Sequence, residues 1–444
     1  MKKLLIITRD FPPYEGRGGV MRILKFAAYL PEFGWKASIF CEKKGVTGDN
    51  SLRKEIDGKA EVIPVAWKSP SQQKNYHKER LNAPDVSTIQ KVHSLSYRSL
   101  YFNLLMSYHN YFMAPDLHWP WAQQTIEHAL NLHKDRSFDA LLTSGPPFST
   151  FRAGIEIQKS TQLPLALDFR DGWWKNPLYK NWKKKFIDAQ NRLLEKQAVS
   201  VAGLALFVSD PLTEIYQKRY PAAQCRMRTL ENGFDSNDFK EISSPNDTKT
   251  DTLNFIFCGS VGGRRDPGPF LSAVEQIKKD FPEWAENVRI SFVGRFRGDK
   301  EGWKKRLGNM LEITGEVNHE KAIRYMTAAD ILVLITHASE GGKTVMSGKI
   351  YEYAALRKPI LAVAHECAAT DFIRKYNAGF VVGYEKIDVI TSMLKTIIGM
   401  WKEGEEFPRI GRETLRLYER KRLAGILGGE LDKLIEQLSP RRVR

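Results

Sequence analysis

Several features that would assign this chain to a familiar class are missing from its 444 residues. No apolar run approaches the roughly 20 residues that a membrane-spanning helix needs. The start, MKKLLIITRDFPP, has an apolar run too short for a signal-peptide core and no small-residue cleavage site, so we expect a first β-strand there. The four cysteines, Cys41, Cys225, Cys258 and Cys367, form no CxxC pair. We therefore expect a cytoplasmic protein with reduced thiols.

The sequence also lacks the short motifs of several chemistries. Its nine histidines form no HxxxH or HxH pair, and no DxD follows a predicted strand, so we expect no metal site. The P-loop motif is absent, which argues against a P-loop kinase, and the absence of GxSxG argues against a hydrolase elbow. Gly16, Gly18 and Gly19 do not complete the GxGxxG fingerprint of dinucleotide-binding proteins.

Positive charge is the strongest deviation in the composition. Lysine and arginine number 68 against 52 acidic residues, which gives a net charge of +16. This excess favours a polyanionic partner, and an anionic membrane surface, a phosphorylated substrate and nucleic acid all fit. An aromatic stretch, Tyr97–Phe112, repeats at helical spacing. It indicates either a core-facing helix pair or a hydrophobic patch that enters a membrane interface.

Strands and helices alternate in two successive series, which predicts an α/β protein with two parallel, doubly wound sheets. The first series runs from Leu4–Thr8 to GLALFVSD, and the second restarts at LNFIFCG and continues through VRISFVG, LEITG, DILVLI, PILAVA and AGFVV. The polar stretch at 237–252 is the expected linker. We predict Rossmann-like domains at residues 1–240 and 251–410 that face a central cleft. A helix at about residues 415–440 is a candidate to pack back on the first domain.

Two predicted strands of the first domain are followed by candidate site residues. Gly18 and Gly19 lie in the loop after the first strand, and Asp168, Arg170 and Asp171 follow the strand at residues 163–167. Open α/β sheets bind their ligands at these carboxyl ends. Asp168 has an alternative interpretation as a structural carboxylate that holds its own loop.

The second domain offers two places that suit a phosphate group. The loop Gly259–Gly268 combines glycine backbone with Arg264 and Arg265. Ser347 is the expected N-cap of a helix that carries Lys349 and Glu352, and a helix start of this kind suits an anion. A diphosphate held without metal needs such positive charge, because its leaving-group charge must be neutralised as a glycosidic or anhydride bond breaks.

The order and spacing of these segments resemble a known family over essentially the whole chain. GRGGVMRILKFAAYL, SGPPFST with LPLALDFRDGW, NGFD, FCGSVGGRRDP, ITGEVNHEKAIRYMTAADILVLI and SGKIYEYAALRKPILA carry the likeness. They are similar to GT-B glycosyltransferases of the family 4 type, in the branch that makes bacterial surface polysaccharides. The resemblance implies a retaining, metal-independent hexosyltransferase without cofactor. It also implies a nucleotide-sugar donor on the second domain and a glycan or lipid-linked acceptor on the first.

The resemblance also implies roles for individual residues. Glu352 matches the glutamate that binds the ribose hydroxyls, and Arg265 and Lys349 are expected to stabilise the leaving diphosphate. Asp171 is the candidate that organises the acceptor, together with Asp168, Arg170 and the mobile loop of Gly18 and Gly19. The full donor-binding set is Gly259, Ser260, Gly263, Arg264, Val317, Ser347, Gly348 and Glu352. The family usually has a glutamate eight positions before Glu352 and an arginine after the first loop glycine, where this chain has Thr344 and Ser260.

Two other functions fit parts of the sequence. Sugar-nucleotide epimerases use the same pair of domains and need neither acceptor nor membrane. A non-catalytic polyanion-binding protein would explain the net charge of +16 but not the two phosphate loops. We favour the transferase, at the inner membrane face as a peripheral protein, and we do not expect a nucleic-acid partner.

Overall fold

The computed structural model describes residues 1–14, 19–44, 51–67, 115–174, 185–239, 251–263, 265–336, 342–344 and 346–438. The chain divides into two compact units. The first consists of Met1–Phe207, Ile215–Thr229 and Gly425–Arg444, and the second of Val208–Glu214 and Leu230–Ala424. The main part of the second unit thus begins at Leu230, before the expected boundary at residue 240. Gly425, where the chain returns to the first unit, lies within the expected C-terminal helix.

The first unit contains a parallel sheet of seven strands within the described residues. They are β1 (Lys2–Ile7), β2 (Trp35–Lys43), β3 (Ala60–Ala66), β4 (Ala140–Gly145), β5 (Leu165–Phe169), β6 (Leu204–Phe207) and β7 (Arg226–Thr229). Their order in the sheet is β3-β2-β1-β4-β5-β6-β7. Leu4, Leu5, Ile6 and Ile7 are all fully buried, because helices cover both faces of a parallel sheet.

The second unit repeats this arrangement with six strands in the described part of the chain. They are β8 (Leu253–Cys258), β9 (Val288–Val293), β10 (Leu311–Gly315), β11 (Ile331–Thr336), β12 (Ile360–Ala364) and β13 (Gly379–Val382). The order is β10-β9-β8-β11-β12-β13, and all neighbouring pairs are parallel. The two sheets and their intervening helices confirm the prediction of two Rossmann-like domains.

Helices connect the strands in both units. They are α1 (Val20–Tyr29), α2 (Ser51–Lys54), α3 (Trp119–Arg136), α4 (Ser149–Thr161), α5 (Lys185–Val201), α6 (Asp210–Arg219), α7 (Gly268–Asp280), α8 (Lys300–Leu307), α9 (His319–Ala328), α10 (Lys349–Ala355), α11 (Ala368–Lys375), α12 (Ile387–Glu403), α13 (Arg412–Arg416) and α14 (Arg420–Leu438). In the second unit, α7 and α12 pack on the sheet face that carries Phe255 and Phe257. The face that carries Ile256 and Cys258 packs against α9, α10 and α11. This alternation along β8 follows from the two-residue period of a strand.

One helix start differs from the prediction. α10 begins at Lys349 with Gly348 as its N-cap, and no side chain caps it. The prediction that Ser347 is the N-cap is therefore wrong. Ser347 lies one residue before the N-cap, and its backbone carbonyl accepts a bond from the Ile350 N–H at 3.1 Å.

No helix among the described residues is both long and apolar enough to cross a bilayer. The aromatic stretch Tyr97–Phe112 lies outside the described residues, so its two interpretations stay as stated.

Candidate functional site

The strand order of the second sheet creates a crevice at the carboxyl end of β8. From β8 the chain moves to β9 and β10 on one side, and then returns to form β11 on the other side of β8. Such a switch point separates the loops that leave the two central strands, and open α/β sheets bind their ligands there. The glycine-rich loop follows β8, and the connection to α10 follows β11. The topology therefore brings the two predicted phosphate-binding segments to the same edge of the sheet.

The loop after β8 depends on glycine backbone. Gly262 has φ +114°, and a Cβ there would clash with Arg297, so neither the conformation nor the space admits another residue. Gly262 and Arg265 form an antiparallel bridge that closes the loop into a tight turn. Ser260, Gly263 and Arg265 are exposed, and Arg264 lies outside the described residues. The turn therefore presents backbone and the Arg265 guanidinium to solvent.

Lys349 and Glu352 form an ion pair in the first turn of α10, with 2.7 Å between Nζ and Oε2. Burial by itself raises the pKa of Glu352, but the Lys349 ammonium and the nearby His319 outweigh it and hold that pKa below its usual range. Burial lowers the pKa of Lys349, and the Glu352 carboxylate outweighs this effect and raises it. Both side chains are therefore charged at neutral pH, and side-chain exposures of 32% and 16% leave them reachable.

The pair lies beside the end of β8. Burial raises the pKa of the Cys258 thiol to about 11, and the charges of Lys349 and Glu352 also act on it. Tyr353 follows Glu352 on α10. Burial raises the pKa of its hydroxyl, and the positive charge of Arg265 acts in the opposite direction. The predicted donor-side groups Arg265, Lys349 and Glu352 thus belong to one cluster.

Sequence reasoning missed His319 in this cluster. It opens α9, and its Nε2 is buried without a hydrogen bond and lies 3.6 Å from Asp238 Oδ2. The same segment, ITGEVNH, carries Val317, a member of the predicted donor-binding set, which is partly buried against the core of the unit. Only the folded chain shows that the histidine of this segment lies close enough to Glu352 to lower its pKa, since 33 positions separate the two in sequence.

Asp168 is a structural carboxylate in the first unit. It is fully buried, and its Oδ1 accepts a bond from Arg22 Nε at 2.9 Å. The Ser144 hydroxyl donates to Oδ2 at 2.7 Å. Arg22, in α1, is itself only 2% exposed. Both oxygens thus hold β4 and α1 to β5, which favours the alternative interpretation of Asp168 as a structural carboxylate.

Arg170 lies against the loop that precedes α1. Its Nη2 donates to the Pro146 carbonyl, and its backbone N–H donates to Gly145 at 2.9 Å. A Cβ on Gly19 would clash with the Arg170 guanidinium, so this glycine permits the close approach. The structure therefore brings Gly19 and Arg170 together, whereas Gly18 lies outside the described residues.

Asp171 has the most unusual carboxyl group after β5. Burial raises its pKa from 3.8 to about 6, against the opposing effect of the Arg170 guanidinium. Such a shift places the change between acid and carboxylate close to neutral pH. A carboxyl group poised in this way at a strand end is typical of functional sites.

The loop that follows Asp171 is held by a buried glutamate that sequence reasoning missed. Glu195, on α5, is fully buried and accepts bonds from the Trp174 N–H and the Tyr216 hydroxyl, both at 2.7 Å. Its other oxygen accepts from Arg219 at 2.7 Å and from the Tyr220 hydroxyl at 2.6 Å. These bonds fasten the loop after β5 to α5 and α6.

A second polar cluster, at the carboxyl ends of β1 and β2, was also missed. Asp10 pairs with Arg9 and with Lys44, at 2.7 Å and 2.6 Å, and Glu42 lies 3.4 Å from Lys44. Arg9 also contacts His118, whose pKa falls to about 4 through burial and the Arg9 charge. Arg9 and Asp10 belong to the loop after the first strand, in which the sequence predicted only the glycines as site residues.

Two Rossmann-like units with a polar crevice at the second sheet define the GT-B class of fold. Within the second unit, residues 238–414 match the family model described as Glycosyl transferases group 1, over less than half of the chain. The matched range includes the glycine-rich loop and α10. No curated protein matches the chain significantly.

Solved structures resemble the chain over its whole length. Sucrose-phosphate synthase from Thermosynechococcus elongatus has a TM-score of 0.64 at 13% identity, over 98% of this chain and 100% of that one. HepE of Anabaena in complex with UDP has a TM-score of 0.55 at 14% identity, over 99% and 98%. WaaG, a glycosyltransferase involved in lipopolysaccharide biosynthesis, has a TM-score of 0.52 at 14% identity, over 98% of each chain. These likenesses show that the chain has the GT-B fold.

Proposed function

We propose that this protein is a retaining glycosyltransferase that takes a sugar from a nucleotide-sugar donor held by the second unit. The observation that carries the proposal is the Lys349–Glu352 ion pair beside the glycine-rich loop, at the switch point of the second sheet. The family match over residues 238–414 supports it. The UDP complex of HepE supports a nucleoside diphosphate as the leaving group.

The charges of the cluster suit the two halves of such a donor. Glu352 uses Oε2 for Lys349, and its second oxygen is available to accept from ribose hydroxyls. Lys349 donates one of its three N–H groups to Glu352, and the other two can donate to a phosphate oxygen. Arg265, exposed at the turn of the glycine-rich loop, supplies a second cation. Because these charges lie where negative charge develops on the leaving diphosphate, they lower the barrier without a metal ion.

On the acceptor side, we propose that the first unit holds a glycan or lipid-linked acceptor near Asp171. In front-face transfer the acceptor oxygen bonds to the anomeric carbon on the face that the diphosphate leaves, and the donor phosphate takes the acceptor proton as the sugar–phosphate bond breaks, so the anomeric configuration is kept. Asp171 and Arg170 then orient the acceptor hydroxyl rather than attack the sugar. WaaG supports a surface-polysaccharide context. Residues 175–184 carry four lysines and no acidic residue, which supports contact with an anionic membrane at the cytoplasmic face.

Nucleotide binding tests the proposal first. Thermal unfolding is measured with UDP, GDP, ADP and CMP and their common sugar conjugates, with EDTA and without added metal. One nucleoside diphosphate is expected to raise the Tm by several degrees, as binding to the native state must. Glu352→Gln is expected to weaken that ligand about 10- to 100-fold, because hydrogen bonds to a charged group are lost. Glu320→Gln, an exposed glutamate on α9, is the matched control and should bind like wild type.

The products of turnover test the retaining mechanism and distinguish transfer from epimerisation. NMR of the transferred sugar must show the anomeric configuration of the donor, and inversion would refute the retaining mechanism. Epimerised donor without transfer would favour the epimerase. The absence of stabilisation by every nucleotide would refute the proposed donor site.

The pH profile of kcat/KM is expected to fall below about pH 6 if Asp171 acts as a carboxylate. Its pKa is raised to about 6 by burial, so the group is neutral below that pH and ionised above it. Asp171→Asn is expected to lower activity at pH 7.5 and to remove this acid limb. A limb that persists unchanged in the variant would assign it to another group.

A further inference from the structure

The two central strands of the second sheet separate before they end. β8 pairs with β11 only at Phe255 and Ile256. On its other side, β8 stays paired with β9 as far as Cys258. The edge of β8 that faces β11 therefore has no strand partner over the last two residues, although every buried backbone N–H needs an acceptor.

The hydroxyl of Tyr353 takes the place of the missing strand. It accepts a bond from the Cys258 N–H at 3.0 Å and donates to the Cys258 carbonyl at 3.4 Å. Tyr353 is fully buried, and burial keeps its pKa well above the usual range, so the hydroxyl retains the proton that it donates. The bond crosses 95 positions of sequence.

This contact joins the two segments that carry the donor site. Tyr353 directly follows Glu352 on α10 and lies one turn beyond Lys349. Cys258 directly precedes Gly259, the first residue of the glycine-rich loop. Tyr353 is thus adjacent in sequence to one half of the site, and the residue that its hydroxyl contacts is adjacent to the other half.

We propose that Tyr353 is a positioning residue, whose hydroxyl sets the separation between the glycine-rich loop and the Lys349–Glu352 pair. A nucleoside diphosphate then meets the loop and the pair at once, without rearrangement of α10. The inference rests on the proposed function. It extends that function by assigning the alignment of the donor site to a side chain that touches no ligand.

The same helix provides a matched control. Tyr351 is also fully buried in the same apolar cluster, but its hydroxyl donates to Glu231 Oε1 at 3.5 Å rather than to β8. Tyr353→Phe and Tyr351→Phe each remove one buried hydroxyl and keep the aromatic ring. A loss of packing alone would therefore affect the two variants equally.

The test measures the affinity for whichever of UDP, GDP, ADP and CMP binds wild type most tightly. Tyr353→Phe is expected to weaken binding about tenfold, since displacing charged groups by a fraction of an ångström loses contacts at both ends of the ligand. Tyr351→Phe is expected to stay within about twofold of wild type. Cys258→Ala should also bind normally, because Tyr353 contacts the backbone of that residue.

A double-mutant cycle separates positioning from general destabilisation. If Tyr353 acts by placing α10, Tyr353→Phe should cost much less affinity in the Glu352→Gln background than in wild type. Effects that simply multiply would overturn the inference, as would equal affinities for the two tyrosine variants. Tyr353→Met serves if the Phe variant does not fold. If wild type binds none of the four nucleotides, the proposed function and this inference are refuted together. If wild type binds one of them, the tyrosine variants test the inference separately from the proposed function.

Discussion

Asp168→Ala is expected to lower the free energy of unfolding of the first unit by about 3–5 kcal/mol. Arg22 is only 2% exposed, and the substitution would leave its guanidinium buried without the carboxylate that it donates to. The Ser144 hydroxyl would lose its acceptor as well. Breaking a buried ion pair from one side is costly because the remaining charge keeps its full desolvation penalty.

Urea unfolding of the full chain, followed by hydrogen exchange of peptides from β5 and α1, measures this effect within the first unit. Peptides from β8 and β12 report the second unit separately, since a protein with two units need not unfold in one step. Asp171→Ala is the matched control three positions away. Burial disfavours its carboxylate, so the unfolded chain ionises more readily, and at pH 7.5 this variant should be no less stable than wild type. A loss below about 1 kcal/mol for Asp168→Ala would contradict the structural role.

Lys349→Ala is expected to lower kcat for donor cleavage about 10²- to 10³-fold. The Glu352 carboxylate raises the pKa of Lys349 above its usual range despite burial, so the ammonium is charged throughout a neutral assay. Its attraction for a diphosphate grows as the sugar–phosphate bond breaks, and an interaction that strengthens in the transition state appears mainly in kcat. The donor found by the nucleotide panel serves as substrate, with hydrolysis or transfer as the readout.

The control for this variant is Lys343→Ala, which removes an exposed lysine from the same connection between β11 and α10. It should keep wild-type kcat. Lys349→Ala also leaves Glu352 unpaired, so the Lys349→Ala/Glu352→Gln double variant is needed. If the double variant recovers kcat, the loss comes from the free carboxylate, and Lys349 does not act on the leaving group.

The alternation of buried strands and amphipathic helices could be read directly from the sequence. Apolar runs such as LNFIFCG and DILVLI are buried on both faces, so local composition marks them as parallel strands. Segments without this signal were missed: β7 is a short edge strand with the sequence Arg226–Thr229, and α8 is rich in lysine. The glycine-rich loop and the Lys349–Glu352 turn were also found, because a strand end followed by glycines or by a helix start is a local pattern.

What the tertiary structure decided was the pairing of groups far apart in the chain. In the sequence, Asp168 has the position of a site residue. In the fold, its carboxylate is buried and pairs with Arg22, 146 positions away. Lys349 and Glu352 were expected to serve different parts of a ligand, yet they pair with each other first. The bond from Tyr353 to β8 is equally invisible in sequence, because its need arises only where β11 leaves β8. Hydrophobic periodicity is local and survives in a sequence, whereas the partner of a buried polar group depends on how the whole sheet is assembled.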